Sequence, residues 1–192
     1  RAECGIANYY TDIDSIILRH TPFVWYEAMQ LSGDSIFIKL KDRKLERIFV
    51  SGDAFAISKS DSLIKNRFHQ MSGETITMNF KKNAIDNIVV DKTASSLYYL
   101  FEDSRSEKDT SVTIQKPNGM NMSTGDQVII SFVDKKVETI KIIGGVEGKY
   151  YPENIINGKE ADYNLAGFNW RENKPVIKPI NHKSSSKSSS RN

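Results

Sequence analysis

Between Ser35 and Leu40 the chain alternates: Ile36, Ile38 and Leu40 are apolar, Ser35 and Lys39 are polar, and Phe37 is the exception. The pattern returns at Ile76, Met78 and Phe80, interleaved with Thr75, Thr77 and Asn79. It returns again at Val128, Ile130 and Phe132, interleaved with Gln127, Ile129 and Ser131. A period of two puts one set of side chains on one face of a half-buried strand. On a helix successive members would sit about 200° apart and share no face. A charged turn follows each run: Lys41-Asp42-Arg43-Lys44, Lys81-Lys82-Asn83 and Asp134-Lys135-Lys136. Asp and Asn supply the turn chemistry. A second strand follows, with inward pairs Ile48/Val50, Ile88/Val90 and Ile140/Ile142. Leu45, Ile85 and Val137 stand three residues before the first member of each pair, which breaks strict alternation and predicts a bulge or bend there.

These runs define a module. Ser32 to Ala56 is repeated forty residues later as Ser72 to Ser96, and again fifty-two residues after that as Thr124 to Gly148. Each copy has an acidic residue beside a glycine at its start (Asp34, Glu74, Asp126) and turns toward small residues at its end (Ala54, Ala94, Val146). In-register copies predict a repeat-built, all-β antiparallel structure with stacked modules and an apolar interior. Gly5, Ala7, Asp14, Ser15 and Ile16 match Gly52, Ala54, Asp61, Ser62 and Leu63 at a constant offset of 47. That match reads as the end of a module, so the chain is expected to begin inside a repeat. A polar insert from Glu102 to Asn118 separates copies two and three and reads as an exposed loop with a short hairpin around Val112-Thr113-Ile114. Beyond copy three a polar loop leads to a last strand candidate, Tyr163 to Trp170. Residues 1–170 therefore read as one domain. Residues 171–192 carry Pro175 and Pro179 and end in KSSSKSSSRN, a composition that cannot bury a core and reads as a solvated tail.

Composition narrows the function classes. The net charge is only +3, and no basic patch is interleaved with aromatics, which argues against nucleic acid. Cys4 is the single cysteine, so no internal disulfide forms. His20, His69 and His182 sit in separate connectors without metal-ligand spacing, and no cofactor is expected. Gly144-Gly145-Val146-Glu147-Gly148 is followed by Lys149-Tyr150-Tyr151-Pro152, which opens no helix to meet a phosphate; it reads as a bend between strands. Asp34, Glu74 and Asp126 occur once per module, which suits turn chemistry better than a catalytic pair. No enzyme is expected. The remaining candidate site is the set of inward rows: Ile36, Ile38, Leu40, Ile48, Val50, Ile76, Met78, Phe80, Ile88, Val90, Val128, Ile130, Phe132, Ile140 and Ile142. Periodicity alone leaves two readings open, a closed core or a groove whose faces stay far enough apart to admit acyl chains.

The ordered series Tyr10-Thr11-Asp12, Pro22-x-x-Trp25, Gln30-x-x-Gly33-Asp34, Gly52-Asp53-Ala54, Gln70-x-x-Gly73, Tyr98 to Asp103, Gly119-x-Asn121 and Gly167-Phe168-x-Trp170 resembles the OstA-like repeat of lipopolysaccharide-transport proteins. That family comprises the LptA proteins and the N-terminal domain of LptD, and the likeness is closer to the larger Bacteroidetes and Chlorobi type. The resemblance implies an antiparallel β-jellyroll, open or partly open along one side, that shields the lipid A acyl chains of lipopolysaccharide. It also implies a periplasmic location, either as a free bridge or in an outer-membrane assembly. The expected partners are a lipid and either other jellyroll transport proteins or further copies of this chain, joined end to end by strand pairing. The competing expectation is a structural β-solenoid or adhesin-like module with a sealed core.

Overall fold

The computed structural model describes residues 1–60, 64, 66–105 and 113–176. In chain order the strands are β1 (Ala2–Glu3), β2 (Ile6–Tyr10), β3 (Ser15–Arg19), β4 (Phe23–Tyr26), β5 (Met29–Ser32), β6 (Ser35–Lys41), β7 (Lys44–Lys59), β8 (Phe68–Lys81), β9 (Ala84–Arg105), β10 (Thr113–Val133), β11 (Lys136–Ile143) and β12 (Glu147–Tyr151). One helical turn, α1 (Glu153–Ile156), and a 3-10 turn at Glu160–Tyr163 follow. All twelve strands join one antiparallel sheet that does not close into a barrel.

The sheet is folded over on itself. Strands β7 to β10 are long enough to cross a bend and belong to both halves. The first half runs β2-β3-β6-β7-β8-β9-β10-β11, and the second runs β1-β4-β5-β7-β8-β9-β10-β12. Pairing is interrupted between Ser51 and Ala54, Ser72 and Thr75, and Gly125 and Gln127, which marks the bend line. Backbone sterics explain the bend. Gly52 sits at φ 73, and a side chain at Gly33 would meet the Gly52 carbonyl at 3.0 Å. Only a residue without Cβ fits so close a crossing.

The same geometry recurs where the sequence pattern does not. His20 (φ 63) and Thr21 (φ 52) occupy the left-handed pair of positions that Gly52 and Asp53, Lys92 and Thr93, and Gly144 and Gly145 occupy elsewhere. Gly5 crosses His20 as Asp34 crosses Gly52: its N–H donates to the His20 carbonyl (3.1 Å) as that of Asp34 does to Gly52 (2.9 Å), and an added Cβ would stand 2.8 Å from His20 Cβ. Gly5 is therefore the counterpart of Asp34, as the flanking pairs Glu3–Phe23 and Ile6–Arg19 match Ser32–Phe55 and Ser35–Ser51, and the offset of 47 that paired it with Gly52 is corrected. Strands β1 to β4 form a further bent hairpin in front of the three legible copies. The match misled because small residues stand on both sides of every bend.

The expected bulges are present. Leu40 pairs with Leu45 while Lys39 pairs with Arg47, leaving Glu46 as the extra residue; Asp86 and Glu138 are the extra residues in the other copies. An acid is the extra residue at each bulge, and Leu45, Ile85 and Val137 stay packed against the interior.

The last strand candidate, Tyr163 to Trp170, is not a strand. Residues 164–176 form an irregular strap across the outer face of the second half. Two repeat glutamines replace the ladder a strand would have made. Gln70 Nε2 donates to Asn164 Oδ1 (2.5 Å) and its Oε1 accepts from the Leu165 N–H (2.9 Å). Gln30 Nε2 donates to the Asn169 carbonyl (2.6 Å) and its Oε1 accepts from the Arg171 N–H (2.9 Å). Phe55, Ile57 and Phe68 point outward and are covered by Leu165, Phe168 and Trp170; Leu97, Tyr99 and Met120 are covered by Ile156. Arg67, 2% exposed, donates to both carboxylate oxygens of Glu153 (2.6 and 3.0 Å) and to Glu160 (3.1 and 3.2 Å). Burial works against the Arg67 charge, and the two carboxylates more than offset it, so its pKa lies above the ordinary arginine value. Contacts continue past Trp170: Arg171 lies over the Phe23 ring at 3.5 Å, and Lys174 Nζ donates to the Glu27 carbonyl (2.6 Å). Val112 and residues 177–192, including His182 and the serine-rich end, lie outside the described residues.

Candidate functional site: a groove between the folded halves

Folding the sheet brings the inward rows of its two halves face to face. On the first half the rows are those read from the alternation. Ile36, Val50, Ile76, Met78, Ile88, Val90 and Val128 are fully buried, and Ile38, Ile48 and Ile130 nearly so. Leu40, Phe80, Phe132 and Ile142 are partly buried against them. Ile140 pairs with Ile130 on the edge strand β11, faces the interior and remains 39% exposed. The row is therefore dry in the middle and open toward β11.

The second half explains the gradient. Its inner face offers Leu31, Ala54, Ala56 and Ala94 near the bend, small enough for the isoleucines and valines opposite to pack onto them. Farther from the bend the inner positions become Ser58, His69, Ser96 and Tyr98. There the faces part into a groove of about 480 Å³. Its apolar wall is Met29, Met71, Ile130, Phe132, Val137 and Ile140, and its rim includes Gln115, Lys135 and Lys136. A volume of this size lies within the usual range for ligand sites.

The long side of the fold opposite the bend is a slot, and the β4–β5 turn bridges it. Tyr26 Oη donates to the Asn83 carbonyl (3.3 Å), the Tyr26 ring meets Phe80 edge-on at 5.0 Å, and Glu27 lies 3.5 Å from Lys135 Nζ. The groove opens beyond this bridge.

His69 is a titratable group on the inner wall of the groove. Its Nδ1 accepts the Tyr99 backbone N–H (3.2 Å), and its ring stacks on Tyr98 with centroids 4.1 Å apart. Burial lowers its pKa to about 4, so the ring is neutral at ordinary pH and carries its proton on Nε2. Sequence reasoning missed His69, Met29, Met71 and Tyr98. The available signal was the offset of forty that aligns Met71 with Leu31, the inward position of the preceding copy. The same reasoning placed Ile140 correctly on the inner face but could not separate it from buried Met78.

The acids expected to do turn chemistry stand at the bends, but through their backbone rather than by side chains accepting from their own turns. Asp34 donates its backbone N–H to the Ser51 and Gly52 carbonyls, Asp126 does the same to Gly144, and Glu74 pairs with Lys92 at the surface. They line the bend, away from the groove. No cluster of metal-ligating side chains occurs among the described residues.

No protein-family model matches the sequence, and no curated protein matches it. The structure does have a counterpart. It resembles LptH of Pseudomonas aeruginosa, described as the LptA-homologous periplasmic component of the lipopolysaccharide transport device, with a TM-score of 0.55 at 15% identity; the match covers 79% of this chain and 94% of LptH. The fold is that of LptA. The bend is the closed back of the folded sheet, and the slot bridged by Tyr26 is its open side. The motif series in the sequence and the geometry of the folded sheet thus lead to the same architecture.

Proposed function

We propose that this chain is a non-enzymatic carrier in a lipopolysaccharide-transport system, holding acyl chains of lipid A in the groove between the two halves of its jellyroll. The supporting observation is the apolar groove beside Met71, Phe132 and Ile140, open to the slot in an LptA-like fold. Lining of this kind offers a chain roughly 25 cal/mol for each Å² removed from water. In this reading the buried rows around Ile76 and Met78 hold the two halves together, while the lipid contacts concentrate toward β11. The protein would work in the periplasm, at or near the outer membrane, with residues 1–170 as one jellyroll unit followed by a Pro- then Lys/Ser-rich end.

The edges support a chain of jellyrolls. β2 and β1 border one end of the folded sheet, and β11 and β12 border the other. Strands with one unpaired side favour addition of a further strand, from another transport protein or a second copy.

The test is photo-crosslinking. A benzophenone side chain at Phe132 or Ile140 is expected to form an adduct with purified lipopolysaccharide, and the same group at Ile6, on the outer edge strand, is expected to form none. Folded protein that yields no adduct from any groove position refutes the carrier reading.

A further inference from the structure

The charged turns were read as turn chemistry only, yet the fold gathers them on one side of the site. Lys41-Asp42-Arg43-Lys44, Lys81-Lys82-Asn83 and Asp134-Lys135-Lys136 close the β6–β7, β8–β9 and β10–β11 hairpins. All three tips lie on the first half of the sheet, and all ten residues are exposed. Because the modules are in register, the tips follow one another along the same lip of the slot. They carry seven Lys or Arg side chains against two Asp. The foremost tip, between β2 and β3, departs from this and carries Asp12 and Asp14. The lip is therefore acidic at one end and basic along the rest, including the part that borders the groove.

Backbone geometry makes the cations less ordinary. Each tip places two successive residues at positive φ: Asp42 and Arg43 (52 and 61), Lys82 and Asn83 (52 and 67), Asp134 and Lys135 (49 and 65). Two-residue turns of this type favour Asn and Gly. Arg43, Lys82 and Lys135 stand where those residues would cost less. Of the seven cations, Lys135 alone has an ion-pair partner among the described residues, and that partner is Glu27 across the slot.

We infer that the basic lip binds the anionic headgroup of the lipid whose chains occupy the groove, making the preferred ligand an anionic amphiphile. This rests on the carrier reading above. The groove supplies the apolar half of the site, with Phe132 and Ile140 beside Lys135 and Lys136. The lip supplies the charged half within one side-chain length. A headgroup at Lys135 takes the place of Glu27, so binding also loosens the bridge across the slot. Repetition of the basic tip along the lip offers the headgroup successive positions of the same chemistry while the chains stay in the apolar channel.

The experiment uses the full chain loaded with N-phenyl-1-naphthylamine, a neutral apolar dye that fluoresces in an apolar groove. Dodecyl phosphate, dodecyl maltoside and inorganic phosphate are titrated as competitors. Two exposed ion contacts predict that dodecyl phosphate displaces the dye at a concentration about ten-fold lower than dodecyl maltoside at low salt. The gap should shrink at about 0.5 M salt. The variant Arg43→Gln/Lys82→Gln/Lys135→Gln/Lys136→Gln changes only exposed tip residues and should bring the two amphiphiles to displace the dye at equal concentrations. Equal displacement by both amphiphiles in the unaltered chain, or a preference that survives in the variant, overturns the headgroup inference and leaves the groove reading standing. Displacement by inorganic phosphate alone also overturns it, since the site would then recognise a free anion. Failure of the folded chain to bind dye or either amphiphile refutes the groove reading and the headgroup inference together.

Discussion

Replacing Arg67 by Leu tests whether the strap is held by its ion triad. Arg67 is 2% exposed and makes four hydrogen bonds, two to Glu153 and two to Glu160. The Glu160 side chain is 11% exposed and that of Glu153 30%, so the guanidinium is their main compensation in a partly dry site. Desolvation tends to raise the Glu160 pKa, and hydrogen bonds from backbone N–H groups and Arg67 reverse it, leaving the group below its ordinary value. Removing one partner of a buried triad costs about 3–5 kcal/mol, because the others are left charged and poorly solvated. For a chain of this length that corresponds to a fall in Tm of roughly 6–20 °C. The assay is thermal unfolding combined with hydrogen exchange at the Leu165 and Arg171 amides, which the repeat glutamines hold. The triple replacement Arg67→Leu/Glu153→Gln/Glu160→Leu removes every charge and should recover most of the loss. A single variant within about 1 kcal/mol of the parent refutes the reasoning. So does a triple variant no more stable than the single one.

Two further predictions concern the groove. His69 has a folded pKa of about 4 against 6.5 in the unfolded chain, so the unfolded state binds the extra proton between those values. Stability is full above about pH 6.5 and falls as pH drops toward 4, by about 3 kcal/mol in all; His69→Gln should flatten that part of the curve measured by urea unfolding, and an unchanged slope refutes the assignment. Ile76→Ala, at a fully buried position, should cost about 2–5 kcal/mol, whereas Ile140→Ala should cost under about 1 kcal/mol and yet weaken dye and lipid capture. Equal stability losses at the two positions would mean that the β11 end is as tightly packed as the centre.

Much of the fold was legible because strand alternation is local. The inward identity of Ile36, Ile76 and Val128 follows from residues two positions away, and so do the bulges at Glu46, Asp86 and Glu138. The bend before Phe23 was not legible, because His20 and Thr21 adopt the left-handed conformation without a glycine, as Lys92 and Thr93 do, but outside the legible copies of the module. The strap was misread as a strand because its apolar Leu165, Phe168 and Trp170 do pack on a sheet, while its hydrogen bonds come from side chains over ninety residues away.

The sequence by itself determined the repeat, the faces of each strand and the positions of the charged turns, since each depends on near neighbours. Only the tertiary structure decided whether the interior is closed or open, and the answer varies along the molecule. The gap between the two halves is set by what each inward side chain meets on the other half. Alanines opposite Ile36 and Ile76 let the faces close. Ser58, Ser96 and His69 leave the space beside Phe132 and Ile140 unfilled. That pairing across the fold, absent from any local pattern, turns three similar modules into a core at one end and a groove at the other.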